Sequence, residues 1–342
     1  MNVAVIIPLF NGARWIEETL NSVYSQERLP AEVIVVDDDS TDASPGIVSK
    51  RFPKTTLLTN ERKGSSHARN VGIENSYSPL LAFLDQDDLW HPSHLKMLSE
   101  ISASNPGVNC VVASADCFSG KEPSYSPMPQ PAGPFDPWER FPFTMGIEGP
   151  SVALFRRDFL TSAGHWQAEG TGMGDILLFL KATSRGPLLR TATITVGKRI
   201  HAHQQWLSVR SEAGTYMKRR LAVTRLALEY RKAAKYDPAS EELFERRWKA
   251  LQQIAALVDA EHNVDLEAVT SIAERLEDLL DDQIYRHAFY CLMGALFPVH
   301  DVDQLRTLRD KSFQKLLDVW PRNAQMTRHA IESLIGEQPM VS

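Results

Sequence analysis

Two stretches of this 342-residue sequence end an apolar run on a cluster of carboxylates. One is Asp37-Asp38-Asp39 after "AEVIVV"; the other is Asp85-Gln86-Asp87-Asp88 after "PLLAFL". In open α/β sheets ligands bind beyond the carboxyl ends of the strands, so acidic tips on neighbouring strands would meet in one crevice. Carboxylates at such places also cap the following helices, where the dipole favours negative charge. Two clusters of three, with no equal density of Lys or Arg between them, exceed what capping needs. Like charges at close range repel. A hard cation such as Mg²⁺ or Mn²⁺ relieves that repulsion, taking carboxylate oxygens on one side and water and phosphate on the other. The chemistry these residues point to is metal-assisted handling of a phosphorylated substrate.

The elements that would position them alternate. Residues 3–9 (VAVIIPL) are apolar throughout, as in a strand buried on both faces. In 13–26, Trp15, Ile16, Leu20 and Val23 recur at helical spacing. Residues 31–40 are a second buried strand. A helix opens at "TDASPGIVSKRF", with Asp42 or Ser44 as N-cap and Pro45 at its first position. A strand (54–60), a helix (65–76) and a strand (79–85) follow. The alternation predicts an α/β fold with a mainly parallel sheet. The segment 119–150 is rich in Pro, Gly and Ser and reads as a long functional loop. Strands return at 151–160 and 192–203. From about 210 the pattern is amphipathic and helical. The expected organisation is a domain over 1–209, with halves 1–118 and 119–209, and a helical domain over 210–342.

Composition narrows the class. A hydrophobic share of 43% and a charged share of 23% fit an ordinary globular protein, and a net charge of −6 without a long basic run argues against nucleic acid as partner. Three cysteines, odd in number and without a CxxC, argue against a disulfide framework or a structural zinc site and favour the cytoplasm. The start "MNVAVIIPLF" reads as a strand, not a signal peptide, and no apolar run is long enough to span a membrane.

Three blocks in series, "VIIPLFNGARWIEETLNSVYSQ", "EVIVVDDDSTDAS" and "HARNVGIENSYSPLLAFLDQDDLWHP", resemble the nucleotide-sugar domain of family 2 glycosyltransferases with the GT-A fold. The resemblance covers roughly the first 120 residues and continues more loosely to about 205. It implies a Rossmann-like nucleotide-sugar domain followed by the helical region, and a UDP-sugar as donor. It places Pro8, Phe10 and Asn11 near the nucleotide base, and Asp38, with Asp37 beside it, on the base imide. Arg69 would lie near the base and phosphates, Asp85 on the ribose hydroxyls, and Asp87 on the Mn²⁺ or Mg²⁺ that bridges the diphosphate. Asn11 as a turn residue, Asp37 as a cap and Arg69 as a solvated helix arginine are the plainer readings. Asp88 would either support the metal or cap the helix begun at "HPSHLKML".

A transferase of this kind needs a base for the acceptor hydroxyl, and a positioned carboxylate suits that role. The resemblance assigns it to Asp175 in "SAGHWQAEGTGMGDILLFLKATSRG", with Gly174 where the family often has Glu, and with Glu169 as rival. Asp175 could equally cap the helix "ILLFLKATS". In "GKRIHAHQQW", Arg199 and His201 fit the family's Arg-x-His pattern near diphosphate and metal, His203 less well. "GTGMG" reads as a mobile turn, not a dinucleotide loop. Trp138, Trp166 and Trp206 could stack on sugars or belong to the core.

The implied reaction is inverting transfer to a saccharide or glycoconjugate hydroxyl, in bacterial polysaccharide or glycoconjugate synthesis, in the cytoplasm or at the inner membrane face. A nucleotidyltransferase and an inactive sugar-binding module are the other two classes. For the helices after 210, packing on the catalytic domain ranks ahead of homo-oligomerisation, and that ahead of peripheral membrane contact.

Overall fold

In a computed structural model of the protein, the described residues are 1–118, 150–167, 173–186, 188–199, 201, 213–234 and 238–260, with 123, 125, 132–139, 141, 147 and 149 from the intervening segment. They fall into two compact units. The first holds residues 1–139, 145–200 and 226–235; the second holds 140–144, 201–225 and 236–342.

The first unit opens with β1 (Val3–Leu9), α1 (Ile16–Tyr24), β2 (Glu32–Asp37), α2 (Ser44–Arg51), β3 (Thr56–Thr59), α3 (Ser65–Glu74) and β4 (Leu80–Phe83). Strands β3, β2, β1 and β4 lie side by side in that order, all parallel. Every residue of β1 is buried, as its unbroken apolar run requires of a central strand covered on both faces. Helix α1 turns Ile16, Leu20 and Val23 inward and leaves its polar face to solvent. Helix α2 begins one residue after Ala43. Asp42 accepts from both the N–H and the hydroxyl of Ser44, so it satisfies an orphan donor of the first turn.

Beyond β4 the sheet becomes mixed. It continues through β8 (Ala153–Arg156), β6 (Cys110–Phe118) and β9 (Leu188–Arg199) to the two-residue β5 (Leu89–Trp90), with β7 (Gly133–Phe135) also on β9. β8 is antiparallel to β4 and β6, while β9 is parallel to β6. Helices α4 (His94–Ser104), α5 (Arg157–Ala163) and α6 (Gly174–Thr183) complete the unit. The described architecture is α/β with a mixed, mostly parallel sheet in its first half.

Three elements differ from the sequence expectation. The run 151–160 was expected as one strand. Its first residues form a 3-10 turn (Pro150–Val152), only Ala153–Arg156 is strand, and Arg157 starts α5. Arg157 donates to Ser78 O, Ile73 O and Ser76 Oγ, which fastens the chain to the end of α3 where pairing with β4 stops. β6 carried no expectation. β9 begins at Leu188, ahead of the expected 192, because its first residues pair with β6 and β7.

In the second unit the described residues are mainly helical. Helix α7 (Ala213–Ala234) belongs to it up to residue 225 and to the first unit from 226, and α8 (Pro238–Ala260) follows. The helices expected after 260 lie outside the described residues. Among the described residues no helix is long and apolar enough to cross a membrane.

Candidate active site

The carboxyl ends of β1, β2 and β4 open a crevice because β4 stops pairing early. β1 pairs with β4 from Val3 to Ile6, but with β2 as far as Leu9. Ile6 O accepts from Leu84 N, so by alternation the backbone of Pro8 faces the side that β4 has left. Proline has no N–H to lose there, which reconciles it with a central strand.

Gln86 bridges the gap. Its side chain accepts from Phe10 N at 2.7 Å and donates to Phe10 O at 2.9 Å. Phe10 itself is 52% exposed. Asn11 has φ +49, in the left-handed region that Asn tolerates, and its side-chain oxygen accepts from Thr41 N at 2.8 Å. It therefore acts as the turn residue that joins the β1 and β2 tips. Asp37 accepts from Ser40 N, and Asp38 accepts from Asn60 Nδ2 at 2.6 Å and Gly64 N at 2.9 Å. Both carboxylates are half-buried and hold the loops of their own tip.

At the β4 tip, Arg69 of α3 donates to Asp85 Oδ1 across 2.7 Å while its guanidinium lies over the Trp166 ring at 4.7 Å. Arg69 is 7% exposed, so it is not a solvated helix arginine. Arg199 is equally enclosed. It lies between the Trp15 and Phe118 rings, donates to Glu18 Oε2 at 2.6 Å and donates to Asp87 O at 3.0 Å. It grips the backbone of Asp87, whose side chain is half-buried.

Asp88 neither caps α4, whose N-cap is Ser93, nor reaches solvent. Its carboxylate accepts from the Ser151 hydroxyl at 2.7 Å and from Arg199 N at 3.2 Å. Burial pushes its pKa up to about 7; Asp85 and Asp87 add to this, and Lys198 and Ser151 oppose it. Thr19 also ties the acidic loop, donating to Gln86 O and Asp88 O. Thr19, Ser151 and Lys198 stand in no sequence motif, and nothing local to them announced a role.

Asp175 is the second residue of α6, after an N-cap at Met173, so it lies in the first turn and is not the cap. Burial raises its pKa, against the pull of Arg69, the Ile176 N–H and Lys198, while Asp85 pushes the same way as burial. The fold thus brings Asp175 into the electrostatic reach of Arg69 and Asp85. Gly174 has a steric cause. A β-carbon there would stand 2.6 Å from Gln167 O and 3.0 Å from Ser66 Oγ, so the Glu of the family pattern has no room.

His201 is half-buried and falls in the second unit. Glu169, His203 and Trp206 lie outside the described residues. Trp138 and Trp166 are core residues, each 2% exposed, and Trp166 packs under the Arg69 guanidinium.

Among the described residues no three His, Cys, Asp or Glu side chains form a ready-made metal cage. Mg²⁺ and Mn²⁺ sites on nucleotides do not need one, since one or two carboxylates suffice when water and phosphate complete the shell. Asp87, with Asp85 beside it, fits a hard cation in donor type.

A mixed, mostly parallel sheet with acidic loops at two strand tips, and a helix whose first turn carries Asp175, has the GT-A-like α/β architecture. Residues 4–162 match the family described as "Glycosyl transferase family 2", and this segment is a domain of that family. It is similar to an uncharacterized glycosyltransferase of Haemophilus influenzae, 29% identical over 164 residues, covering 47% of this chain and 55% of that one. It is also similar to glycosyltransferase AglE of Haloferax volcanii, 32% identical over 208 residues, covering 57% and 66%. The chain thus spans only about half of the Haemophilus protein. Among solved structures, S. aureus TarS 1–349 in complex with UDP-GlcNAc shares the fold with a TM-score of 0.61 at 19% identity, over 100% of this chain and 93% of that one.

Proposed function

We propose that this protein is an inverting glycosyltransferase that moves a sugar from a nucleoside diphosphate, most simply UDP, to an acceptor hydroxyl, in the assembly of a bacterial polysaccharide or glycoconjugate. The observation that carries this reading is the convergence of Arg69, Asp85 and Asp175, from α3, the β4 tip and α6, in one electrostatic neighbourhood. TarS, similar in fold, is a protein crystallised with UDP and with UDP-GlcNAc, which supports a uridine nucleotide here.

In this reading Phe10, Asn11 and the Asp37–Asp38 tip flank the base, Asp85 takes the ribose hydroxyls, and Arg69 orients Asp85. Asp87 would hold Mn²⁺ or Mg²⁺, which supplies Lewis-acid stabilisation of the departing diphosphate when bound. The acceptor oxygen bonds to the anomeric carbon as that carbon's bond to the β-phosphate oxygen breaks. The electron pair leaves on the diphosphate, and Asp175 takes the acceptor proton. One displacement inverts the centre and needs no covalent sugar–enzyme intermediate.

The test is a thermal-shift screen of nucleoside diphosphates with Mn²⁺, followed by product analysis with the matching nucleotide sugar. A ligand that binds the native state raises the Tm. A rise with UDP and release of UDP on turnover are expected. Release of pyrophosphate instead would replace this reading with nucleotidyl transfer.

A further inference from the structure

The four carboxylates of the crevice share a cation that no motif announces. Lys198 follows Gly197, which pairs with Leu89 of the acidic loop on β5. Alternation along β9 sends Arg199 toward Trp15 and Phe118, and Lys198 to the opposite face. There its ammonium stands 3.1 Å from where a β-carbon on Gly149 would be. Gly149 has φ +97, open in practice only to glycine, and leads into the turn whose Ser151 donates to Asp88 and accepts from Asp85 N. Glycine at this position gives the ammonium its space beside the acidic loop.

We propose that Lys198 is the resident cation of the crevice: its ammonium balances the strand-tip carboxylates, keeps a free divalent ion from binding tightly ahead of the donor, and pairs directly with the donor's diphosphate. This rests on the nucleotide-sugar reading for the identity of the diphosphate, but not for the placement of the cation. Burial works against the charged amine. Asp88, Asp85, Asp87 and Asp175 outweigh it and raise the Lys198 pKa, so the group stays charged. Lys198 then offers a fixed ammonium to the charge that develops on the departing β-phosphate, and an ion held by Asp87 would add Lewis-acid stabilisation there.

The first experiment needs no nucleotide. Free Mn²⁺ is titrated into the full chain and followed by electron paramagnetic resonance. Lys198→Met is expected to bind Mn²⁺ at least about tenfold tighter than wild type, a difference of about 1.4 kcal/mol, whereas Lys198→Arg keeps the weak wild-type affinity. Equal affinity in wild type and Lys198→Met overturns the proposal. Should Lys198→Met fail to fold, Lys198→Gln, which removes the same charge and keeps a polar end, gives the same comparison. The second experiment is calorimetry with UDP. In EDTA, Lys198→Met should lose about tenfold or more in affinity and Lys198→Arg little, since a charge-assisted contact to phosphate is among the stronger hydrogen bonds. Unchanged UDP binding by Lys198→Met in EDTA overturns the diphosphate contact. If wild type binds no nucleoside diphosphate with or without Mn²⁺, the donor reading fails, and the manganese titration alone decides the placement of Lys198.

Discussion

Arg69 and Asp85, one on α3 and the other at the tip of β4, are joined at 2.7 Å with the Arg69 side chain 9% exposed and that of Asp85 27% exposed. Removing one partner of an enclosed pair costs up to about 3 kcal/mol, and less here because Lys198 still faces the partly exposed Asp85. Arg69→Leu is therefore expected to lower the urea midpoint of unfolding and to weaken nucleotide binding together. Retention of both would show that the pair does not organise the site.

Asp175→Asn keeps the shape of the side chain and removes its basicity. Transfer should fall by a factor of about 10² to 10⁴, the usual contribution of a general base, while nucleotide affinity stays within about twofold. Because burial lifts the wild-type carboxyl above its ordinary 3.8, the acid limb of the rate profile should lie above that value. The rate rises with pH as the base loses its proton. Normal turnover by Asp175→Asn would remove the residue from this role.

Asp87→Ala tests the metal ligand from the other side. Donor binding in Mn²⁺ should weaken along with transfer, unlike in Asp175→Asn. EDTA should abolish activity in wild type and added Mn²⁺ or Mg²⁺ should restore it. Full activity in chelator would exclude an essential ion.

Gly174→Glu recreates the family's Glu-Asp pair, yet its β-carbon would press on Gln167 O. Overpacking of this kind costs about 1–3 kcal/mol. A fall in Tm without a gain in rate is expected; a faster, equally stable variant would contradict the steric account.

His94 gives a pH dependence unrelated to catalysis. It is fully buried, stacked on Trp90 at 4.5 Å, with Nδ1 at 2.7 Å from Thr195 Oγ1. Burial, helped by His91, pulls its pKa from 6.5 down to about 3. Above pH 6.5 both folded and unfolded chains carry it neutral. Below that the unfolded chain takes the proton first, so stability falls as pH drops toward 3, by up to about 1.4 kcal/mol per unit. His94→Gln should flatten this part of the acid limb in urea titrations at pH 7, 5.5 and 4.5. An unchanged slope would assign it to other groups.

The first four strands and the helices between them were legible because their signals are local. Val3–Leu9 announces a central strand by its own apolar run, and Asp85 to Asp88 mark a strand tip by their position after one. β6 and the true start of β9 were not legible, since pairing with distant strands decided their bounds. The same holds for 151–160, where Arg157 ended the strand by bonding to the chain around Ser76.

The sequence by itself determined that carboxylates gather at the carboxyl ends of parallel strands, because alternating apolar and acidic runs allow little else. Only the tertiary structure decided which side chains surround them. Arg69, Lys198 and Arg199 are brought to the acidic loop by α3 and β9, and Asp175 by α6, across separations that no local pattern encodes. It also decided which positions must be glycine. Whether a β-carbon fits at Gly149 or Gly174 depends on Lys198 and Gln167, which meet those positions only once the chain has folded.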